Sequence, residues 1–257
     1  MFKLFPAVFE SVWKRKETKL FLMFSFYSIL YLIGSFFGSS NFMKISVEPG
    51  YELSYLSFFG MMISSAEGFL LPVITLYFLI ISVFKKEIED HTMFLYKDLN
   101  KNDIFGAKFL SLIIIVSIYF ILSALVSLGV YYGRVAHMDI GANIFFDQTL
   151  ELSLHSLTSL LSIFVKSLFA VALGTFASIH FKNGMTLLIG IISTIIMMFA
   201  SVIGGNFVLL LPSGYVRLVE KGNLGVILSF VGPIVVVLIY TVILNHFSSK
   251  KFSSLEF

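Results

Sequence analysis

The run Phe109–Gly133, FLSLIIIVSIYFILSALVSLGVYYG, contains no Asp, Glu, Lys or Arg. Twenty-five residues of helix measure about 37 Å at about 1.5 Å per residue, which exceeds the roughly 30 Å hydrocarbon core of a bilayer. This stretch alone predicts a transmembrane helix. Five further stretches meet the same test: 20–38, 62–84, 156–179, 185–211 and 224–244. The chain is therefore expected to be an all-α, polytopic membrane protein with six transmembrane helices in a single domain over 1–257. Within span two only Glu67 interrupts the apolar run, and within span four only Lys166 does.

The whole composition agrees. Of 257 residues, 58% are hydrophobic, 16% aromatic and 13% charged, with a mean hydropathy of +0.95. Soluble domains carry roughly 25% charged residues. A net charge of +3 is too small to indicate a nucleic-acid partner, and zero cysteine excludes disulfides, thiol catalysis and Cys-based metal sites.

Basic residues sort by loop. The segments 1–19, 85–108, 180–184 and 245–257 hold thirteen Lys and Arg, against four (Lys44, Arg134, Arg217, Lys221) in 39–55, 134–155 and 212–223. Short loops rich in Lys and Arg stay cytoplasmic, so both termini are expected inside. The first 18 residues lack a signal-peptide pattern. Their apolar pairs Leu4/Phe5, Val8/Phe9 and Val12/Trp13 predict an amphipathic helix at the lipid interface, begun near Pro6, with Trp13 and Lys14–Lys16 at headgroup depth.

Familiar catalytic patterns are absent from the sequence. It has no Gly-x-Ser-x-Gly elbow and no Gly-x-x-x-x-Gly-Lys phosphate loop, and none of its five histidines pairs at i,i+4 around a Glu. Serines inside the spans read as helix-packing hydroxyls. Lys166 and Glu67 are the candidate pathway residues, since a charge in a span costs about 2.5–3.5 kcal/mol. Two readings of Lys166 stand open: a pathway residue attracting an anionic substrate group, or a structural lysine paired with an acid or carbonyl of a neighbouring helix. Glu67 either lines an outer vestibule or sits at the headgroup boundary. Gly34–Gly38 and Gly129–Gly133 match Gly-x-x-x-Gly and are expected to pack helices within the chain. Pro72 and Pro233 are expected to kink spans two and six, and Gly204-Gly205 to break span five near its outer end.

The long loop after span two, Phe84–Lys108, reads FKKEIEDHTMFLYKDLNKNDIFGAK. It opens with an acidic-basic run, continues through an amphipathic segment and ends at Lys108. A short surface helix of this kind suits docking into a groove on a cytosolic partner. Here the chain resembles the permease subunits of ABC-2 class ATP-binding cassette transporters, including those of bacterial lantibiotic immunity and of peptide or drug export. In that family a Glu-rich stretch ending in Gly-Thr leads through a short apolar helix and closes on a Lys at span three. Glu87, Glu89, Thr92, Leu95 and Lys108 occupy matching places. His91 stands where Gly is usual, and no Pro appears in the turn. The segment Leu211–Tyr215, LPSGY, is similar to the Pro-containing stretch before span six.

The resemblance implies a coupling helix between spans two and three, with Glu87, Glu89, Thr92, Met93, Leu95, Tyr96 and Leu99 meeting two separate ABC ATPase subunits that bind ATP and Mg. It also implies a second permease copy or a related one, a bacterial plasma membrane and no cofactor on this chain; an exported amphipathic substrate is expected because the pathway-facing candidates are Phe, Ser and Gly and not charges. An ATP-independent carrier, an intramembrane enzyme and a sensor subunit remain the alternatives.

Overall fold

The computed structural model describes residues 4–37, 52–89, 100–203 and 205–254, with the side chains of 86–89 and 201–203 outside that description. Nine α-helices are found there: α1 (Phe5–Trp13), α2 (Lys16–Met23), α3 (Tyr27–Ser35), α4 (Tyr55–Gly68), α5 (Leu71–Glu89), α6 (Lys101–Gly133), α7 (Leu150–His180), α8 (Asn183–Ile203) and α9 (Gly222–Ser253). Local chemistry explains the starts. Ser54 caps α4 by accepting from the Ser57 amide, Asn100 caps α6 through the Asn102 amide, and Thr149 caps α7 through the Leu152 amide. Pro6 stands in the first turn of α1, where its missing N–H leaves nothing unpaired.

Five stretches are long and apolar enough to cross a membrane: Lys16–Ser35, Lys101–His137, Leu150–His180, Asn183–Ala200 and Pro212–Ser253. A sixth is reached if α4 and α5, bent by 64°, count as one. The protein is thus all-helical with multi-pass character. Span two departs from the expected straight helix over 62–84. Leu70 adopts φ 58°, which ends α4, and Pro72 has no amide hydrogen to give the Gly68 carbonyl, so the ladder cannot run through. Proline was expected to kink this span; the result is a full break two residues ahead of it.

Span five is broken at Gly205, within the glycine pair expected to break it. α8 stops at Ile203, Gly205 takes φ 89°, and a 3-10 segment Asn206–Leu210 follows, so 185–211 is not one helix. A second 3-10 segment, Pro212–Lys221, leads through Gly222 (φ 75°) into α9, which continues past Pro233 to Ser253. The link between α7 and α8 is two residues, Phe181 and Lys182.

Two apolar clusters form the interior. One joins Phe21, Leu79, Phe84, Phe105, Leu112 and Phe252; the other joins Tyr31, Leu53, Phe58, Ile63, Tyr131 and Leu160. Each lies toward one end of the bundle. Outward, α9 exposes Leu224, Ile227, Val231, Leu238 and Val242, a helix face suited to lipid rather than water. Tyr77 makes one tight joint between helices. Its ring packs so closely on α7 and α8 that a Cβ at Gly190 would lie 2.5 Å from it and one at Gly174 3.0 Å. By contrast, a Cβ at Gly129 or Gly133 would meet nothing within 4 Å. Their expected role in packing the chain on itself is not realised, because that face of α6 points away from its neighbours.

Candidate functional site

Four elements line a polar cavity of about 440 Å³. Along α7, His155, Ser159, Ser162 and Lys166 recur every three to four residues, so one stripe of the helix carries them all. This stripe runs about 16 Å at about 1.5 Å per residue. From α4 come Ser64 and Glu67, one turn apart; from the 3-10 segment come Ser213, Arg217 and Glu220; α8 adds the flexible apolar wall of Met197 and Met198.

At the inner end of the stripe the Lys166 ammonium lies 2.5 Å from the Glu67 carboxylate, with side chains 11% and 12% exposed. The structural reading of Lys166, a pair with an acid from another helix, is what the geometry contains, and the pair also lines the cavity. The two readings therefore meet in one place. On either side of Glu67 along the chain, Ile63 and Leu76 belong to the two different apolar clusters. The ion pair occupies the seam between them.

Other features of the lining were not singled out from sequence. Ser213 is 7% exposed and its hydroxyl has no hydrogen-bond partner; the Arg217 Nε is also buried without one, while its Nη2 donates to the Gly205 carbonyl. At the rim, His155 and exposed Glu220 also line a second cavity of about 510 Å³ with Glu151 and Asn223. A third, almost wholly apolar groove of about 500 Å³ flanks the α4–α5 break, between Phe26, Leu30, Phe69 and Pro72.

The same end of the bundle is closed by a cap. Leu53 forms an isolated parallel bridge with Gly141, the Leu53 amide donates to Ile140 and the Tyr131 hydroxyl donates to the Leu53 carbonyl at 2.7 Å. Beside it the hydroxyls of Ser54, Ser57 and Ser156 donate to the buried Asp147 carboxylate at 2.5, 2.6 and 2.8 Å. This clasp was not singled out from sequence, since Asp147 lies in a loop 93 residues from Ser54, the cap of α4, and 90 from Ser57 in its first turn.

At the opposite end, α5 and α6 are fastened where they flank residues 90–99. Lys108, 3% exposed, donates to the Val83 carbonyl at 3.0 Å and lies 5.8 and 5.7 Å from the ring centres of Phe84 and Phe252. Arg15, where the chain is extended between α1 and α2, donates to both the carbonyl and the hydroxyl of Ser82 on α5. Lys85 donates to the Phe181 carbonyl and Lys101 to the Ser253 carbonyl. α1 packs its Val8, Phe9 and Val12 into the adjoining cluster and leaves Trp13 exposed.

Of the residues expected to meet an ATPase, Glu87 and Glu89 lie in the last turn of α5, with side chains outside the described residues. Thr92, Met93, Leu95, Tyr96 and Leu99 also lie outside the described residues. Among the described residues no group of three His, Asp or Glu side chains is arranged to hold a metal ion. His180 is occupied locally, its ring stacked 4.3 Å from Phe176. Compared with models of protein families, with curated proteins and with solved structures, the chain finds no match.

Proposed function

We propose that this chain is the permease subunit of an ATP-driven ABC-2 type transporter in a bacterial plasma membrane, moving an amphipathic substrate. The observation that carries transport is the polar cavity with a buried Glu67–Lys166 pair at its inner end, inside an otherwise apolar helical bundle. Ionisable groups kept at such depth mark substrate or ion paths. The ATP-driven class rests on the resemblance of Phe84–Lys108, together with a sequence that contains no phosphate loop of its own.

In this reading the chain has six spans, with α4 and α5 forming the broken second one, and both termini cytoplasmic. Support comes from which loops meet. Leu53 reaches Gly141 and Asp147 reaches Ser54, all in segments poor in Lys and Arg, whereas Arg15 reaches Ser82 and Lys101 reaches Ser253, in or beside the basic set. α1 serves as the interfacial helix. Two ATPase subunits, loaded with ATP and Mg, grip the segment from Glu87 to Leu99, and a second permease completes the complex. The joints at Lys108, Arg15 and Lys101 make the base of that segment stiff, so a push there moves α5 and α6 rather than melting them.

The test is purification of the complex from native membranes, followed by ATPase and flux assays. A phosphate-loop ATPase should be present in stoichiometric amount. Charge reversal at Glu87 and Glu89 should abolish permease-stimulated ATP hydrolysis while insertion is retained; undiminished stimulation removes the coupling assignment. Transport by the purified chain alone, without ATP, would select the ATP-independent carrier, which the buried ion pair also suits.

A further inference from the structure

The unmet hydrogen-bonding capacity around the cavity is unbalanced in kind. Arg217 Nε–H is a donor only, and it is buried without a partner. Lys166 uses one hydrogen on Glu67 and has two more to give. Ser213, lining the same cavity, has a free hydroxyl. The Glu67 carboxylate is already engaged by Lys166, and the other acid of the lining, Glu220, stands exposed at the rim with His155. A buried donor left without an acceptor is costly, so this part of the cavity favours a guest that brings oxygen acceptors. Met197, Met198 and Ile163 supply apolar wall beside these donors.

We infer that this cavity binds the anionic oxygen group of an amphipathic ligand, with Lys166, Arg217 and Ser213 as its donors. Arg217 is held for this by its Nη2 bond to the Gly205 carbonyl, which fixes the guanidinium plane, and its Nε hydrogen is left for the ligand. The guest's oxygens share Lys166 with Glu67, and its apolar part lies along the methionines. Glu220 at the rim suits a cationic group on the same ligand.

This names a ligand chemistry for the transport reading, yet binding is measured on the full chain without any ATPase, so the two can fail separately. Purified protein in neutral-detergent micelles is titrated with radiolabelled lysophosphatidylglycerol, with a monoacylglycerol of the same chain length, and with inorganic phosphate as competitor. The phospholipid should bind about tenfold or more tighter than the monoacylglycerol, and Ser213→Ala and Arg217→Gln should each weaken it about tenfold, the size of one hydrogen bond to a charged group. Arg217→Gln also removes the tie to Gly205; if it unfolds, Ser213→Ala decides. Displacement by phosphate supports the site with a free anion as a sufficient guest, and resistance to phosphate supports a lipid headgroup as its source. Equal binding of the monoacylglycerol, or wild-type affinity in a folded Ser213→Ala, overturns the proposal. Binding intact with ATP-driven flux absent overturns transport and leaves the site.

Discussion

Breaking the Glu67–Lys166 pair one partner at a time, and then together, tests the central feature of the cavity. Glu67→Gln leaves a buried ammonium with no carboxylate 2.5 Å away; Lys166→Met leaves a buried carboxylate with no ammonium. Removing one partner of a buried pair typically costs 3–5 kcal/mol, so each single change should lower stability by about 3 kcal/mol. The double change removes both charges and leaves a polar amide beside a thioether, for which a loss of about 1 kcal/mol is expected because buried pairs and well-packed neutral replacements are close in energy. Two singles summing to about 6 kcal/mol against a double at about 1 kcal/mol give a coupling of about 5 kcal/mol. Water in the cavity trims this, since both side chains keep about a tenth of their exposure. A coupling of at least about 2 kcal/mol is the threshold we set. Unfolding in mixed micelles of dodecyl sulfate, followed by helical circular dichroism, measures all four proteins. Two singles within 1 kcal/mol of wild type, or a double as damaging as their sum, would refute the argument that the pair is held together by burial.

Gly190→Ala should destabilise by about 1–3 kcal/mol, because the new Cβ meets the Tyr77 ring at 2.5 Å, and Tyr77→Leu in the same chain should recover most of that loss; an unchanged unfolding midpoint for Gly190→Ala would show the joint to be slack. Leu70→Gly should be neutral or stabilising by up to about 1 kcal/mol, since Leu70 holds φ 58° where glycine is unstrained, whereas Leu70→Val should cost more than 1 kcal/mol; the reverse order in a thermal melt would contradict the left-handed end of α4. Lys108→Met should lower stability by about 2 kcal/mol through loss of a charged hydrogen bond to the Val83 carbonyl, read in the same dodecyl sulfate titration, with no loss counting against its role in joining α5 to α6.

How far the sequence discloses this molecule depends on which period governs each piece. Helical spacing with at most one charge, Lys166 in α7, is enough for α6, α7 and α9, which contain the expected 109–133, 156–179 and 224–244. Leu70 is where a break escapes the reading, because a single residue with positive φ ends a helix without altering the apolar run around it; the break at Gly205 falls at the glycine pair expected to make it. In the cavity, the stripe His155, Ser159, Ser162, Lys166 is visible at helical spacing once α7 is granted. Ser213, Arg217 and Glu220 are not, since they lie in 212–223, which reads from sequence as a loop between spans and not as a helical segment. Nor could spacing find Asp147, whose serine partners come from two separate helices.

The break at Leu70 also explains why Glu67 can reach Lys166 at all. Tyr77 and Ile80 are the α5 residues that pack on Gly174 of α7. At about 100° per residue, a helix continued straight back from them would turn Glu67 about 80° away from Tyr77 and about 140° from Ile80, off the face that meets α7. The residues toward α7 would then be Ala66, Leu70 and Val73, all apolar, and the Glu67 carboxylate would point elsewhere. A left-handed residue followed by proline resets the phase of the helix and bends its axis by 64°, so that Ser64 and Glu67 replace Ala66 on the face toward Lys166. The cavity is in this sense a consequence of backbone chemistry at 69–72. A span two rebuilt as continuous helix, with Leu70 and Pro72 both replaced by alanine, keeps every charged residue of the lining and loses the ion pair.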